Sequence, residues 1–112
     1  MGDAEEAKSQ MRGVLVICSG EFEGMEYKLS SAETLIGRNP TTNVTLLDEN
    51  MSREHAIVVR DEENGSFTVE DLQSTNGTKV NGKRTRSAVL ADGDEIEIGH
   101  TRFRFLLREP TD

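Results

Sequence analysis

The sequence of 112 residues has one cysteine, two prolines and no tryptophan, and its aromatic residues are four phenylalanines and one tyrosine. The single cysteine, Cys18, excludes an intrachain disulfide and fits a reducing compartment, so we expect a cytoplasmic protein. The longest strictly apolar run, Val14 to Cys18, is far shorter than the roughly 20 residues of a membrane-spanning helix. The first ten residues lack the basic and apolar regions of a secretory signal peptide.

Basic charge is also scarce, because 21 acidic residues outnumber 13 lysines and arginines and give a formal net charge of -8. Nucleic-acid binding and attachment to anionic lipid both need a basic surface, so we expect neither nucleic acid nor a membrane as a partner. A small local basic pocket is still compatible with this charge. The length suits one domain, and we expect a flexible acidic tail at 1–11, a folded domain at 12–108 and a C-terminal tail or linker at 109–112.

Short alternating patterns of apolar residues predict β-strands from Arg12 onwards. The clearest ones occupy Phe67–Glu70, Glu95–Ile98 and Arg102–Leu107. The run Val14–Cys18 is apolar on both faces, which is typical of an interior strand. Further strands are expected at Met25–Leu29, Thr34–Ile36 and His55–Arg60. No stretch of a dozen residues has apolar side chains at helical spacing, so the sequence predicts an all-β fold.

Four dipeptides of the hairpin type separate these strands: Asn64-Gly65, Asn76-Gly77, Asn81-Gly82 and Asp92-Gly93. Glycine adopts the positive φ that tight turns need, and asparagine or aspartate tolerates it. Many short strands joined by tight turns favour a sandwich or a barrel, and we assign a β-sandwich.

Three polar loops between the predicted strands carry residues suited to one kind of ligand. They offer two guanidinium groups, two hydroxyls and one amide, from Arg38, Ser52, Arg53, Thr75 and Asn76. Such a set suits a compact oxyanion attached to a chain whose backbone is also bound. Loops at one end of a sandwich are common binding sites, so a phosphate on a peptide is the leading ligand if these loops converge.

The sequence resembles forkhead-associated (FHA) domains in the order and spacing of several motifs. The resemblance runs from about Gly13 to Leu107, and it rests on Gly37-Arg38, Ser52-x-x-His55, Ser74-Thr75-Asn76-Gly77-Thr78, Val80-Asn81-Gly82 and the stretch Asp92–Gly99. It implies a β-sandwich of about eleven strands that occupies 12–108 and binds phosphothreonine peptides through loops at one end. It also implies a role in signalling by serine/threonine kinases.

The resemblance assigns a role to each matching residue. Arg38, Ser52 and Thr75 are expected to contact the phosphate, and Arg53 is a further phosphate contact. Asn76 is expected to bind the peptide main chain, and Asn50 lies where family members select the third residue after the phosphothreonine. The structural positions of the motifs are Gly37, His55, Gly77, Asn81 and Gly82, and the His55 imidazole is expected to brace the loop that presents Ser52.

The implied partner is a threonine-phosphorylated protein in a serine/threonine kinase pathway, and no cofactor is expected. The chain's own tail is an alternative partner, because Thr111 lies in an acidic setting where a kinase could phosphorylate it. We expect the domain to recruit or regulate as one part of a larger protein. The alternative function is a phospho-independent interaction module that uses the face of a sheet.

An enzyme and a metal site are the remaining alternatives, and the residues favour neither. Ser52 and His55 could be a nucleophile and its base, but no orienting acid or nucleophile elbow accompanies them, so we expect no catalytic residues. Asp92, Asp94 and Glu95 fail the spacing of a calcium loop. The two histidines and the cysteine are too few and too scattered for a zinc site, so we expect no bound metal.

Overall fold

The computed structural model describes residues 11–109, which form eleven β-strands in two sheets and no helix. The all-β sandwich and its number of strands are therefore confirmed. In chain order the strands are β1 (Arg12–Ile17), β2 (Glu26–Lys28), β3 (Glu33–Gly37), β4 (Val44–Thr45), β5 (Ala56–Arg60), β6 (Phe67–Asp71), β7 (Thr78–Val80), β8 (Lys83–Thr85), β9 (Ser87–Val89), β10 (Glu95–Ile98) and β11 (Thr101–Arg108). No helix within residues 11–109 has the length and apolar character needed to cross a membrane.

The strands divide into a six-stranded sheet, in the order β2-β1-β11-β10-β7-β8, and a five-stranded sheet, in the order β4-β3-β5-β6-β9. The β3–β4 pair is parallel, and the other pairs are antiparallel. Strand β1 lies between β2 and β11, as its two apolar faces predict. Its inward residue Leu15 is opposite Phe105 and is completely buried.

The core lies between the sheets and contains alternate residues of the longer strands. Phe67, Phe103 and Phe105 are its largest side chains, and the rings of Phe67 and Phe105 lie 5.3 Å apart between centroids. Gly13 of β1 faces this pair, and a Cβ atom at Gly13 would lie 2.7 Å from the Phe67 ring. Burying a phenylalanine side chain contributes about 1.5–3 kcal/mol, so these rings account for much of the cohesion between the sheets.

The predicted hairpin dipeptides play two different roles. Asn64-Gly65 joins β5 to β6 and Asn81-Gly82 joins β7 to β8, and in both cases the two strands pair with each other. Asn76-Gly77 and Asp92-Gly93 instead join strands of different sheets, so the hairpin prediction is wrong there. Gly77 and Gly93 both have positive φ, at 84° and 89°. The dipeptides therefore mark tight turns correctly, but the turn chemistry does not decide which sheet the chain enters next.

The two ends of the sandwich differ. At one end, here called the loop end, the β3–β4, β4–β5, β6–β7 and β10–β11 connections contact one another. At the other, here called the terminal end, β1 begins and β11 ends, with Arg12 opposite Arg108. Strand β11 runs from the loop end to the terminal end over eight residues. The polar loops predicted to bind a ligand thus converge at one end, far from the first and last strand ends.

Candidate binding site at the loop end

Gly37 ends β3 and brings two loops into direct backbone contact. It does not have positive φ. A Cβ atom there would overlap the carbonyl oxygen of Arg53, so close approach rather than conformational freedom requires glycine. Next to it, the Arg38 N–H donates to the Ser52 carbonyl and the Asn39 N–H donates to the Arg53 carbonyl, both at 3.1 Å. The β3–β4 and β4–β5 loops are held together by these bonds.

The side chain of Arg38 is exposed but held in place. Its Nε atom donates to the Met51 carbonyl at 2.8 Å. Within residues 11–109 the two terminal guanidinium nitrogens of Arg38 make no hydrogen bond, so both can donate to a ligand. Arg53 is also exposed, and its guanidinium makes no hydrogen bond or ion pair in the described part of the chain. Two cations therefore face solvent from adjoining loops.

His55 lies completely buried beneath these loops and joins two of them. Its Nδ1 accepts a hydrogen bond from the Ser52 N–H at 3.0 Å, and its Nε2 donates to the Gly77 carbonyl at 2.8 Å. These partners assign a neutral imidazole with its proton on Nε2. The β4–β5 loop is thereby fixed relative to the β6–β7 loop, which contains Thr75 and Asn76.

Two further hydrogen bonds complete the contact between these loops. The Thr75 N–H donates to Ser52 Oγ at 3.1 Å, and Asn76 Nδ2 donates to the Asn50 carbonyl at 2.9 Å. Ser52 Oγ accepts here and keeps its own hydrogen for a ligand. Asn76 likewise keeps its carbonyl oxygen, and the Thr75 side chain is exposed. The loops therefore present an ordered group of donors and acceptors.

Asp71, at the end of β6, fixes the shape of the β6–β7 loop, a role that the sequence analysis missed. Its carboxylate accepts hydrogen bonds from the N–H and hydroxyl of Ser74 and, at 2.7 Å, from Thr78 Oγ1. Burial raises the pKa of Asp71, but these donors outweigh it and the net pKa lies below the ordinary value. The signal in the sequence is an aspartate three residues before a serine, a spacing at which the carboxylate can accept a hydrogen bond from the serine N–H.

The β10–β11 turn is a fourth component of the site and was also missed. Asp48 accepts from the His100 N–H and from Thr101 Oγ1, both at 2.8 Å, and from the Asn50 N–H at 2.9 Å. Burial raises the pKa of Asp48, but these hydrogen bonds outweigh it, so the pKa is lowered. The Asn50 amide also donates to His100 Nδ1 at 3.0 Å. The side chain of Asn50 is thus oriented by the turn.

The predicted structural pair Asn81-Gly82 lies apart from this group. It forms the β7–β8 turn, where Asn81 Oδ1 accepts from the Glu95 N–H at 3.0 Å. Among residues 11–109, no group of three or more His, Cys, Asp or Glu side chains is placed to hold a metal ion. Asp92 and Asp94 instead accept hydrogen bonds from backbone N–H groups of the turn region and β11.

A sequence model of the FHA domain matches residues 34–99, more than half of the chain. The chain belongs to the FHA family. Among its relatives, the oxoglutarate dehydrogenase inhibitor of Corynebacterium diphtheriae is 40% identical over 94 residues, which are 84% of this chain and 64% of that protein. The glycogen accumulation regulator GarA of Mycobacterium tuberculosis is 43% identical over 93 residues, which are 83% of this chain and 56% of that protein. The FHA chain described here thus spans less than two thirds of either relative.

A solved FHA domain has the same fold. It comes from a study of phosphothreonine-dependent FHA domain interactions, is 33% identical and superimposes with a TM-score of 0.77. The match covers 85% of this chain and 95% of that domain. It therefore includes nearly the whole sandwich of that FHA domain.

Proposed function

We propose that this FHA domain binds a phosphothreonine peptide at the loop end and acts as a recruitment module in serine/threonine kinase signalling. One observation carries the proposal: a guanidinium and a hydroxyl, from Arg38 and Ser52, lie on two loops that backbone hydrogen bonds hold together. Both groups have donors left for a ligand. The solved relative from the study of phosphothreonine-dependent interactions supports the same ligand.

The chemistry of the phosphate suits these residues. Phosphothreonine has about -1.5 to -2 charges at pH 7 and three strong acceptor oxygens. The terminal nitrogens of Arg38 and the hydroxyl of Ser52 donate to these oxygens, and Thr75 and Arg53 add a hydroxyl and a second cation. Charge-assisted hydrogen bonds contribute about 1.5–3 kcal/mol each before ordering costs. Three or four of them leave an affinity near micromolar, or about -8 kcal/mol.

Asn76 binds the peptide main chain in this proposal. Its Nδ2 already donates to the Asn50 carbonyl, which fixes the side chain, and its free carbonyl oxygen accepts a peptide N–H. Because the loops are bonded to one another before any ligand arrives, little ordering remains to oppose binding. Asn50, oriented by His100, lies beside Asn76 and contacts the residues that follow the phosphothreonine.

We propose no catalytic role for Ser52 and His55. Both ring nitrogens of His55 are bonded to backbone groups, so neither is available to take a proton from Ser52 Oγ. The hydroxyl itself accepts from the Thr75 N–H. Binding through these groups needs no cofactor. The names of the two relatives, an inhibitor of oxoglutarate dehydrogenase and a regulator of glycogen accumulation, favour metabolic regulation as the output of the whole protein.

Self-recognition through Thr111 fits only an interaction between two copies. Thr111 lies outside the described residues, three positions beyond Arg108. A residue three positions away is at most about 11 Å distant. The eight-residue strand β11 separates Arg108 from the loop end by roughly 23 Å. The separate phosphorylated partner is therefore the simpler ligand, and we retain the tail as a ligand in trans.

Calorimetry with three peptides tests the proposal. The peptides share one sequence and contain phosphothreonine, phosphoserine or unmodified threonine. We expect binding of the phosphothreonine peptide, and loss of at least about 100-fold in Arg38→Ala, since two charge-assisted bonds are removed. Arg104→Ala is the matched control, because its side chain is exposed and, within residues 11–109, hydrogen-bonds only to the Gly93 carbonyl of a distant turn. Equal binding of all three peptides would instead favour a phospho-independent module that uses a sheet face.

A further inference from the structure

Two arginines beside the β6–β7 loop are not used by the proposed phosphate site. Arg84 and Arg86 are exposed, and neither side chain makes a hydrogen bond or ion pair within residues 11–109. Between them and the loop lies an open cavity of about 800 Å³, whose lining also includes Asp71, Gln73 and Ser74. Ser74 directly precedes Thr75, so this cavity adjoins the proposed phosphate site.

We propose that Arg84 and Arg86 form a second anion subsite for the same peptide. It binds a carboxylate or a second phosphate on the side of the phosphothreonine away from Asn50. This inference rests on the proposed function, since it extends the same bound peptide across the β6–β7 loop.

The first argument is the position of Arg84. A Cβ atom at Gly77 would lie 2.5 Å from Arg84 Nε and 2.9 Å from its Cζ, so the guanidinium lies directly across Gly77. Gly77 follows Asn76, the residue proposed to bind the peptide main chain. The cation therefore lies next to the proposed path of the peptide, although it is exposed to solvent.

The second argument is that the backbone of Arg86 is fixed at the rim of the same cavity. The Asp71 N–H donates to the Arg86 carbonyl at 2.9 Å. The following residue is held too, because the Ser87 N–H donates to Thr85 Oγ1 at 3.2 Å and Thr85 Oγ1 donates to the Ser87 carbonyl. Arg84 lies in β8 and Arg86 lies in the bend between β8 and β9, and both residues line this cavity.

The third argument is electrostatic. Arg84 lies directly opposite Lys79 in the β7–β8 pair, and like charges in that relation destabilise a sheet. Glu97 is opposite Lys79 on the other side and offsets only one of these charges. The carboxylate of Asp71 also lines the cavity and keeps its negative charge, since Ser74 and Thr78 bind it through neutral donors. Two carboxylates, of Asp71 and Glu97, thus oppose three cations. Excess positive charge therefore remains here, although the chain as a whole has a net charge of -8.

The side of the peptide follows from the two flanks of the β6–β7 loop. Asn50, Asn76 and His100 line a separate cavity that does not include the arginine pair. If Asn50 contacts residues after the phosphothreonine, Arg84 and Arg86 face residues before it. A simpler explanation is that cations on the edge strand β8 and directly after it only prevent edge-to-edge association. That explanation predicts no effect on peptide affinity, so binding measurements distinguish the two.

The experiment compares phosphothreonine peptides that differ only in flanking residues: alanines, two aspartates before, two aspartates after, or one phosphoserine before. Affinities are measured for the wild type, Arg84→Ala/Arg86→Ala and Arg84→Lys/Arg86→Lys. The matched control is Arg12→Ala/Lys28→Ala, which removes two cations at the terminal end. We expect the peptide with preceding aspartates to bind about three- to tenfold more tightly than the alanine peptide, as for partly exposed ion pairs.

This advantage should disappear in the double alanine variant, and most of it should persist in the lysine variant and the control. A larger gain with phosphoserine than with aspartate assigns the subsite to a second phosphate, and equal gains assign it to acidic side chains. An acidic preference that is absent, that survives in the double alanine variant, or that appears only after the phosphothreonine overturns the inference. Failure of the alanine peptide to bind the wild type overturns the proposed function itself, which separates the two failures.

Discussion

Replacing His55 should reduce both the stability of the domain and its affinity for phosphopeptide, although the side chain cannot touch the ligand. The imidazole is completely buried and connects the Ser52 N–H to the Gly77 carbonyl. In His55→Ala both backbone groups lose their partner, at about 1–3 kcal/mol each. With the cavity left by the ring, we expect a loss of about 3–5 kcal/mol. For a domain of this size that lowers the melting temperature by at least about 12 °C.

Two near-isosteric variants separate the two hydrogen bonds. Asparagine places an oxygen near the position of Nδ1, so His55→Asn keeps an acceptor for the Ser52 N–H and loses the donor to Gly77. Glutamine places an amide nitrogen near the position of Nε2, so His55→Gln keeps that donor and loses the acceptor. Each variant should be less stable by about 1.5–3 kcal/mol, because each leaves one buried backbone group unpaired.

Affinity should distinguish the two variants where stability does not. Ser52 is proposed to contact the phosphate, whereas Gly77 only follows Asn76, so His55→Gln should lose about tenfold in affinity and His55→Asn should lose less. Urea unfolding gives the stabilities, and calorimetry with the phosphothreonine peptide, at a temperature where all variants are folded, gives the affinities. Equal affinities of His55→Asn and His55→Gln would refute the reasoning that the imidazole positions Ser52.

Three further predictions concern the groups around the site and a surface pair. The pKa of Asp71 is lower in the folded chain, so its contribution to stability is present above the ordinary value of 3.8 and is lost as the pH falls through the folded value. Asp71→Asn should therefore be less stable than the wild type at neutral pH and should lose less stability below about pH 4. Urea unfolding from pH 2 to 6 checks this, and a variant with the same acid dependence as the wild type would contradict it. Gly37→Ala should lower the unfolding free energy by more than about 3 kcal/mol, because the new Cβ atom meets the backbone of Arg53. In Gly82→Ala the new Cβ atom meets nothing, so the positive φ alone should lower it by about 1 kcal/mol. Similar melting temperatures of the two variants would be evidence against the close-approach argument. Glu26→Gln breaks the exposed ion pair with Arg108 and should change the unfolding free energy by less than about 1 kcal/mol, which denaturation at low and high salt can check.

The strands that the sequence predicts most clearly are β6, β10 and β11, which have a regular period of two. In β6, β10 and β11 pairs of buried apolar residues are separated by one polar or charged residue, at Phe67 and Val69, Ile96 and Ile98, and Phe103 and Phe105. Strands β4, β8 and β9 have two or three residues each, too few to show a period. Val89 of β9 is 68% exposed, so even its apolar side chain gives no sign of burial. These strands form because a neighbouring strand offers backbone groups for pairing. Which strands are neighbours is decided only when the sheets fold.

The same distinction applies to the site. The residues of the three polar loops could be selected because their side-chain chemistry and motif spacing are local features. The contact between Asn50 and His100 joins residues fifty positions apart, and it depends on how the two sheets pack. The position of Arg84 across Gly77 depends on the pairing of β7 with β8. Such contacts arise from tertiary packing, and a reading of single loops cannot supply them.

Strand β1 begins at Arg12 and β11 ends at Arg108, side by side at the terminal end. The points at which the chain continues are therefore separate from the proposed peptide site. Polypeptide that continues from Arg12 or from Arg108 therefore starts at the end of the sandwich opposite the proposed peptide site. Binding of a phosphorylated partner raises the local concentration of that partner near any domain joined to the sandwich. The sandwich itself does not need to change its shape. A rigid β-sandwich of this kind acts by bringing two proteins together, and its own conformation stays the same.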